Sequence, residues 1–261
     1  MNVVAALHSY KFTHFANSDK PKTKNAEHLS LFGKIDALLF GISNPRPVNK
    51  KFPAHPFETI RLKSNKEIEC WWIKTDNAKG SVIIFHGYSG EKSAMLDKAE
   101  EFLKLGYNTL LVDFMGCGGS EGNQTTIGFK EAEEVNTCFE FLKSKGEQKI
   151  ILFGTSMGAA AIIKSINDYH IEPQGIIIEC PFGTMYKTIG SRFRQMGVPA
   201  FPMAALLDFW GGVENGFEAF GFSPAAYARS IKNPVLLIQR QSEHNPLTRT
   251  STSDCYIGFY A

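Results

Sequence analysis

The 261 residues carry 28 Lys and Arg against 26 Asp and Glu, a formal net charge of +2, with 43% hydrophobic and 21% charged residues. That length admits one large α/β domain or two small ones and can bury a substantial core. So small a charge excess, scattered along the chain, leaves no footprint for nucleic acid, and no run approaches the roughly 20 apolar residues that span a bilayer.

Residues 1–52 read as an N-terminal arm and linker. The opening "MNVVAALHSYKFTHF" lacks the basic leader and small-residue cleavage site of a signal peptide, and it also admits the reading of a stump left by an upstream anchor. "SDKPKTKN" is polar and rich in breakers, and "AEHLSLFGKIDALLFG" sets Leu31, Ile35, Leu38 and Leu39 at helical spacing. "NPRPVNKKFP" is extended, because closely spaced prolines forbid helix. "FETIRLK" and "IECWWIK", divided by "SNKE", predict an antiparallel pair.

From Ser81 the rhythm changes. "SVIIFHG", "NTLLVDF", "KIILFG", "GIIIECPF" and "NPVLLIQ" are nearly all apolar and alternate with helical patterns. One such helix places Met95, Ala99, Phe102 and Leu103 on a face and stops at Gly106. Another carries Val135, Cys138, Phe139 and Leu142 and ends at Gly146. Apolar strands separated by helices predict a doubly wound, mostly parallel sheet covered on both faces. The alternation lapses over about 183–232, which reads as a helical cap inserted at the ligand-binding end of the sheet. Its aromatics either pack the cap onto the core or touch a substrate. Cys70, Cys117, Cys138, Cys180 and Cys255 are odd in number and form no CxxC pair. They read as reduced thiols and point to a cytoplasmic setting.

The stretch "ILFGTSMGAA" carries the chemistry. Gly154 to Gly158 spell G-x-S-x-G between an apolar strand and a helix rich in small residues, the setting of a nucleophile elbow. Gly154 and Gly158 permit the tight turn, and Ser156 stands above a helix N-terminus that favours developing negative charge. The alternative is a serine that merely caps a helix. In "FHGYSG", Gly87 lets the chain turn sharply, and the N–H groups of Tyr88 and Met157 form the expected oxyanion pair. His86 reads as a buried brace of that loop rather than a base. "DFMGCGGSEGN" misses the spacing of a phosphate cradle and reads as a tight loop beside the site.

In this order "HGYSG", "DFMGCGGSEG", "GTSMG" and "ECPFG" resemble the α/β-hydrolases, in particular the group of monoglyceride-lipase-like and aminopeptidase-like serine hydrolases. The resemblance covers roughly 53–239 of a core assigned to 53–245. It implies an acyl-enzyme on Ser156, a small ester, thioester or amide substrate, and no metal or organic cofactor. It also implies an acid after the strand "PVLLIQ" and a histidine after one further strand.

The C-terminus departs from that pattern. Arg240 stands where a glycine is usual, and Glu243 falls at the acid position, where it is either the acid or a solvated loop residue; Glu179 is a weaker candidate. After Glu243 the one histidine is the adjacent His244, so no residue fits the base. Residues 246–261 read as an atypical tail in which "CYIGFY" is at best a fragment of the last strand. The expectations are a C-terminally incomplete fold from a truncated or frame-shifted lineage and impaired turnover. An open sheet edge is then free for self-association. A non-catalytic binding protein is the alternative.

Overall fold

The computed structural model describes residues 1–19, 23, 41–195, 199–240 and 255–260. Eight strands form one sheet: β1 (Phe57–Lys63), β2 (Glu67–Ile73), β3 (Ser81–Phe85), β4 (Asn108–Val112), β5 (Ile150–Thr155), β6 (Gly175–Glu179), β7 (Val235–Arg240) and β8 (Cys255–Tyr260). Their order is β1-β2-β4-β3-β5-β6-β7-β8. The run from β4 through β3, β5 and β6 to β7 is parallel. β1 and β2 pair antiparallel, as their alternation predicts, and β2 continues antiparallel onto β4.

Every residue of β3 and β4 is buried, because helices cover both faces. Val82 and Ile84 pack with Met95 and Ala99, at the start of α2 (Leu96–Lys104). Ile83 and Phe85 pack instead with Val135 and Leu142 of α3 (Glu131–Ser144) and Ala160 of α4 (Met157–Tyr169). A fully buried Ile or Phe contributes roughly 1.5–3 kcal/mol, so this two-sided burial supplies the main drive for the sheet. The expected helix stops also hold: Gly106 and Gly146 sit at φ 83 and 89, just past α2 and α3.

Between β6 and β7 lie α5 (Met185–Gln195), α6 (Met203–Asn215) and the short α7 (Pro224–Tyr227). Phe222 is fully buried there, edge-on to Phe129 and Phe182, whereas Phe201, Phe209 and Phe220 are exposed. The aromatics of this segment thus divide between packing and solvent. Helix α1 (Asn2–Thr13) lies against α6, where the Trp210 indole N–H donates to Asn2 Oδ1 at 3.3 Å. The helix expected around Leu31, Ile35, Leu38 and Leu39 falls outside the described residues. Among the described residues, no helix is long and apolar enough to cross a membrane.

The tail differs from expectation. Cys255–Tyr260 form a full strand, antiparallel to β7 with six register pairs from Val235↔Tyr260 to Arg240↔Cys255. The edge of β7 expected to stand open is therefore occupied. The physical reason is local: Tyr256, Ile257, Phe259 and Tyr260 have strong strand preference, and β7 offers an unpaired row of N–H and C=O groups. The strand added after β7 runs antiparallel to it.

Candidate active site

Ser156 occupies the sharp turn between β5 and α4 at φ 51, ψ −102, a region that costs a non-glycine residue about 1–3 kcal/mol. It stands at the N-cap of α4, yet its side chain makes no capping hydrogen bond, so the capping alternative does not describe it. The turn is held from outside. The Ser156 amide donates to the Glu179 carbonyl at 2.8 Å, extending the β5–β6 ladder by one rung. The flanking glycines are steric requirements: a Cβ on Gly154 would lie 2.6 Å from the Gly158 carbonyl carbon, and one on Gly158 would lie 2.6 Å from the Phe85 oxygen. Strand and helix approach too closely at this point for any side chain.

The loop after β3 passes beside the turn. A Cβ on Gly87 would reach Ser156 Cβ at 3.7 Å, an ordinary contact, and the left-handed residue of this loop is Ser89 at φ 55. The sharp bend expected at Gly87 therefore falls two residues later. His86 is 1% exposed. Its Nδ1–H donates to the Gly87 carbonyl at 2.8 Å, and its Nε2 accepts from the Phe114 amide at 3.1 Å. Both ring nitrogens are used and the ring is neutral. Burial pushes its pKa below the ordinary value, against the pull of Asp113. The ring braces two loops.

Those loops meet in a buried charged cluster that sequence reading missed. Asp113 is fully buried and accepts from the Lys92 amide at 2.6 Å, from Asn49 Nδ2 at 2.8 Å and from the Lys92 ammonium. The same ammonium, itself buried, reaches Glu69 Oε1 at 2.8 Å and lies 4.4 Å from the Trp71 ring centroid. Burial pushes the Asp113 carboxyl up, but the Lys92 charge and hydrogen bonds outweigh it and hold the group below the usual carboxylate range. The glycine-dense segment after Asp113 packs on these carboxylates: side chains at Gly118 and Gly119 would run into Asp113 and Glu69. No local pattern could have marked Lys92, because a lysine in "SGEKS" reads as solvated.

A second turn, at Thr125–Gly128, closes on Glu131. That carboxylate accepts from the Thr125 hydroxyl at 2.6 Å and from the Thr126 and Gly128 amides at 2.9 Å each. The Thr125 hydroxyl also lies 3.3 Å from Met157 Sδ, which ties this turn to the start of α4. Next to it, burial and then the Glu131 charge push the Glu134 carboxyl well above its ordinary range.

Of the candidate acids, Glu179 ends β6 and accepts from the Thr155 hydroxyl at 2.7 Å; Glu243 lies outside the described residues. None of the described histidines is hydrogen-bonded to Ser156. His14 stacks on Tyr10 and meets Thr13 Oγ1, and His55 pairs with Glu100. His170 caps the far end of α4, and His8 packs by Gly41. His28 and His244 fall outside the described residues. A cavity of about 560 Å³ opens between α4, β6, β7 and the segment joining those two strands, lined by Ile163, Ile178, Phe182, Ala225, Ile231 and Leu237 among others. Its Pro181–Gly183 wall follows directly on the strand whose Glu179 carbonyl holds Ser156.

Known proteins share the fold. The chain is 28% identical over 189 residues to the Bacillus subtilis protein YqkD, covering 70% of this chain and 62% of that one. It is 26% identical over 121 residues to the lysophosphatidylserine lipase ABHD12 of Danio rerio, covering 43% and 31% of the two chains. The chain thus spans about three-fifths or less of the length of these relatives. Among solved structures, the Pyrococcus furiosus esterase Pf2001 superposes with a TM-score of 0.60 at 25% identity, covering 74% of this chain and 75% of the esterase. The family model described as serine aminopeptidase S33 matches residues 76–207, which takes in β3 to β6, the elbow and the start of the cap. With half of its length matched in this way and a sheet of the same design, the chain belongs to that family of α/β-hydrolases.

Proposed function

We propose that the chain is a serine hydrolase of carboxylic ester, thioester or amide bonds acting through an acyl-enzyme on Ser156. The observation that carries this reading is a strained serine at a strand-to-helix turn whose hydroxyl is not spent on capping the helix it precedes. The Ser156 oxygen attacks the substrate carbonyl carbon, and the Tyr88 and Met157 N–H groups receive the oxyanion. Met157 N–H is the first amide of α4 and has no acceptor within the helix. The nearness of Gly87 to Ser156, where an added Cβ would lie 3.7 Å from Ser156 Cβ, supports the partner donor on the neighbouring loop. The names of the relatives, a lipase and an esterase, favour esters.

Attack also requires an acceptor for the Ser156 proton. Glu243 is the proposed acid of the site; among the described residues no histidine is hydrogen-bonded to Ser156, and on this reading turnover is impaired. The oxyanion pair and substrate binding alone leave about 10³–10⁴-fold over water. The placement of the described histidines favours a second reading, a hydrolase-like protein that binds a ligand without turning it over. A fluorophosphonate probe separates the two. Labelling that disappears in Ser156→Ala supports the hydrolase, and absence of labelling in the unmodified chain supports the binding protein.

A further inference from the structure

The arm outside the family-matched region reaches the oxyanion loop directly. Asn44 is 4% exposed and uses both ends of its amide: Nδ2 donates to the Tyr88 phenol oxygen at 2.9 Å, and Oδ1 accepts from the Ser89 hydroxyl at 3.1 Å. The Tyr88 hydroxyl in turn donates to the Phe12 carbonyl at 2.6 Å, and the Phe12 ring stacks on Tyr88 with centroids 4.5 Å apart. Asn44 is itself anchored, because its carbonyl accepts from the Ala16 amide at 2.9 Å.

We infer that Asn44 is a positioning residue: with Phe12 it clamps Tyr88 and Ser89 so that the oxyanion loop presents its N–H to Ser156. The inference rests on the reading of Tyr88 N–H as an oxyanion donor. The geometry explains why a clamp is needed. Gly87 C=O and Tyr88 N–H belong to one planar trans peptide and point in opposite directions. The carbonyl is held by His86 Nδ1–H at 2.8 Å and the Gly90 amide at 3.1 Å. That fixes one side of the peptide plane and leaves rotation at Tyr88 and Ser89, the latter at φ 55. Asn44 holds the side chains of both. The family-matched stretch begins at residue 76, so this clamp comes from elsewhere in the chain.

The test uses Asn44→Ala, Tyr88→Phe and the double variant. Fluorophosphonate labelling of Ser156, normalised to the fraction of reactive sites, is expected to slow by about 10-fold in each single variant. The double variant is expected to lose no more than a single one, since the residues act as one unit. For any ester that is turned over, kcat falls by the same factor with KM unchanged. Hydrogen exchange across 86–92 is expected to accelerate while α3 and α4 keep their protection. A lowered Tm with an unchanged normalised rate and unchanged exchange across 86–92, or losses that add in the double variant, overturns the inference. If the unmodified chain is not labelled, the nucleophile reading fails separately and exchange decides: faster exchange across 86–92 in Asn44→Ala supports the clamp, and unchanged exchange overturns it.

Discussion

Replacing Gly158 by alanine tests whether close approach of strand and helix holds the elbow. The new Cβ would lie 2.6 Å from the Phe85 oxygen and 2.8 Å from the His86 oxygen. Both are backbone atoms, so no rotamer change relieves the contact. Carbon and oxygen settle at about 3.3 Å or beyond, so α4 must move from β3 by about 0.7 Å. Overpacking of this kind costs about 1–3 kcal/mol, which in a chain of this size lowers Tm by about 2–12 °C. The same displacement carries Ser156 away from the Gly87 loop, and a shift approaching 1 Å reduces a positioned reaction by up to about 10²-fold. Thermal unfolding and the fluorophosphonate labelling rate are measured together. Gly146→Ala is the control, because nothing lies within 4 Å of its Cβ and its φ is 89. It should cost roughly 1–2 kcal/mol of backbone strain and leave labelling unchanged. If Gly158→Ala behaves like Gly146→Ala, the steric account of the elbow is wrong.

Three further outcomes follow from the buried titratable groups. Asp208 is 1% exposed with neither oxygen bonded, and burial, then Glu218, push its pKa from 3.8 to about 6. Its folded value is raised, so its contribution is present below 3.8 and lost as pH rises through about 6. Asp208→Asn should therefore stabilise the chain at pH 8 by about 1–3 kcal/mol, and the gain should vanish near pH 4; denaturant unfolding at the two pH values checks this. His86 has a folded pKa depressed below 6.5 by burial. Its contribution is complete above 6.5 and is lost as pH falls, at up to about 1.4 kcal/mol per pH unit. Tm should fall less between about pH 7 and 5 in His86→Asn than in the unmodified chain. Lys92→Met strands the Asp113 carboxylate and should cost about 3–5 kcal/mol, part of it recovered by adding Asp113→Asn; a double variant no more stable than Lys92→Met would show that the stranded carboxylate is not the source of the loss.

The parts that could be read from the sequence are those whose cause is local. The parallel strands are legible in "SVIIF" and "KIILF" because burial on both faces leaves no polar position. The elbow is legible because Gly154 and Gly158 bracket Ser156 at a spacing set by one strand-to-helix crossing. What stayed hidden depends on partners far away in the chain. Asn44 sits in a proline-rich stretch that reads as linker, and its two partners are 44 and 45 residues further on. Lys92 becomes a core residue only where Glu69, Trp71 and Asp113 converge. The tail was misjudged for a related reason. Six residues of strand-forming sequence take their direction from the open edge they meet, and β7 accepts them antiparallel.

This division between local and distant causes also separates the reactive frame from its rate. The turn at Ser156 is held by the Glu179 carbonyl, by two glycines that admit no Cβ and by the start of α4. None of these needs a histidine. About 1–3 kcal/mol of backbone strain at that serine is sustained by packing between strand and helix, so the elbow persists as a property of the fold whether or not a base stands above it. The loop after β3 is likewise fastened by His86, Asn44 and Lys92 from the core and the arm. Both halves of the frame therefore survive independently of the segment beyond β7. Removal of the Ser156 proton is needed for phosphonylation and for attack on an ester alike, so the two rates are expected to rise and fall together in this chain.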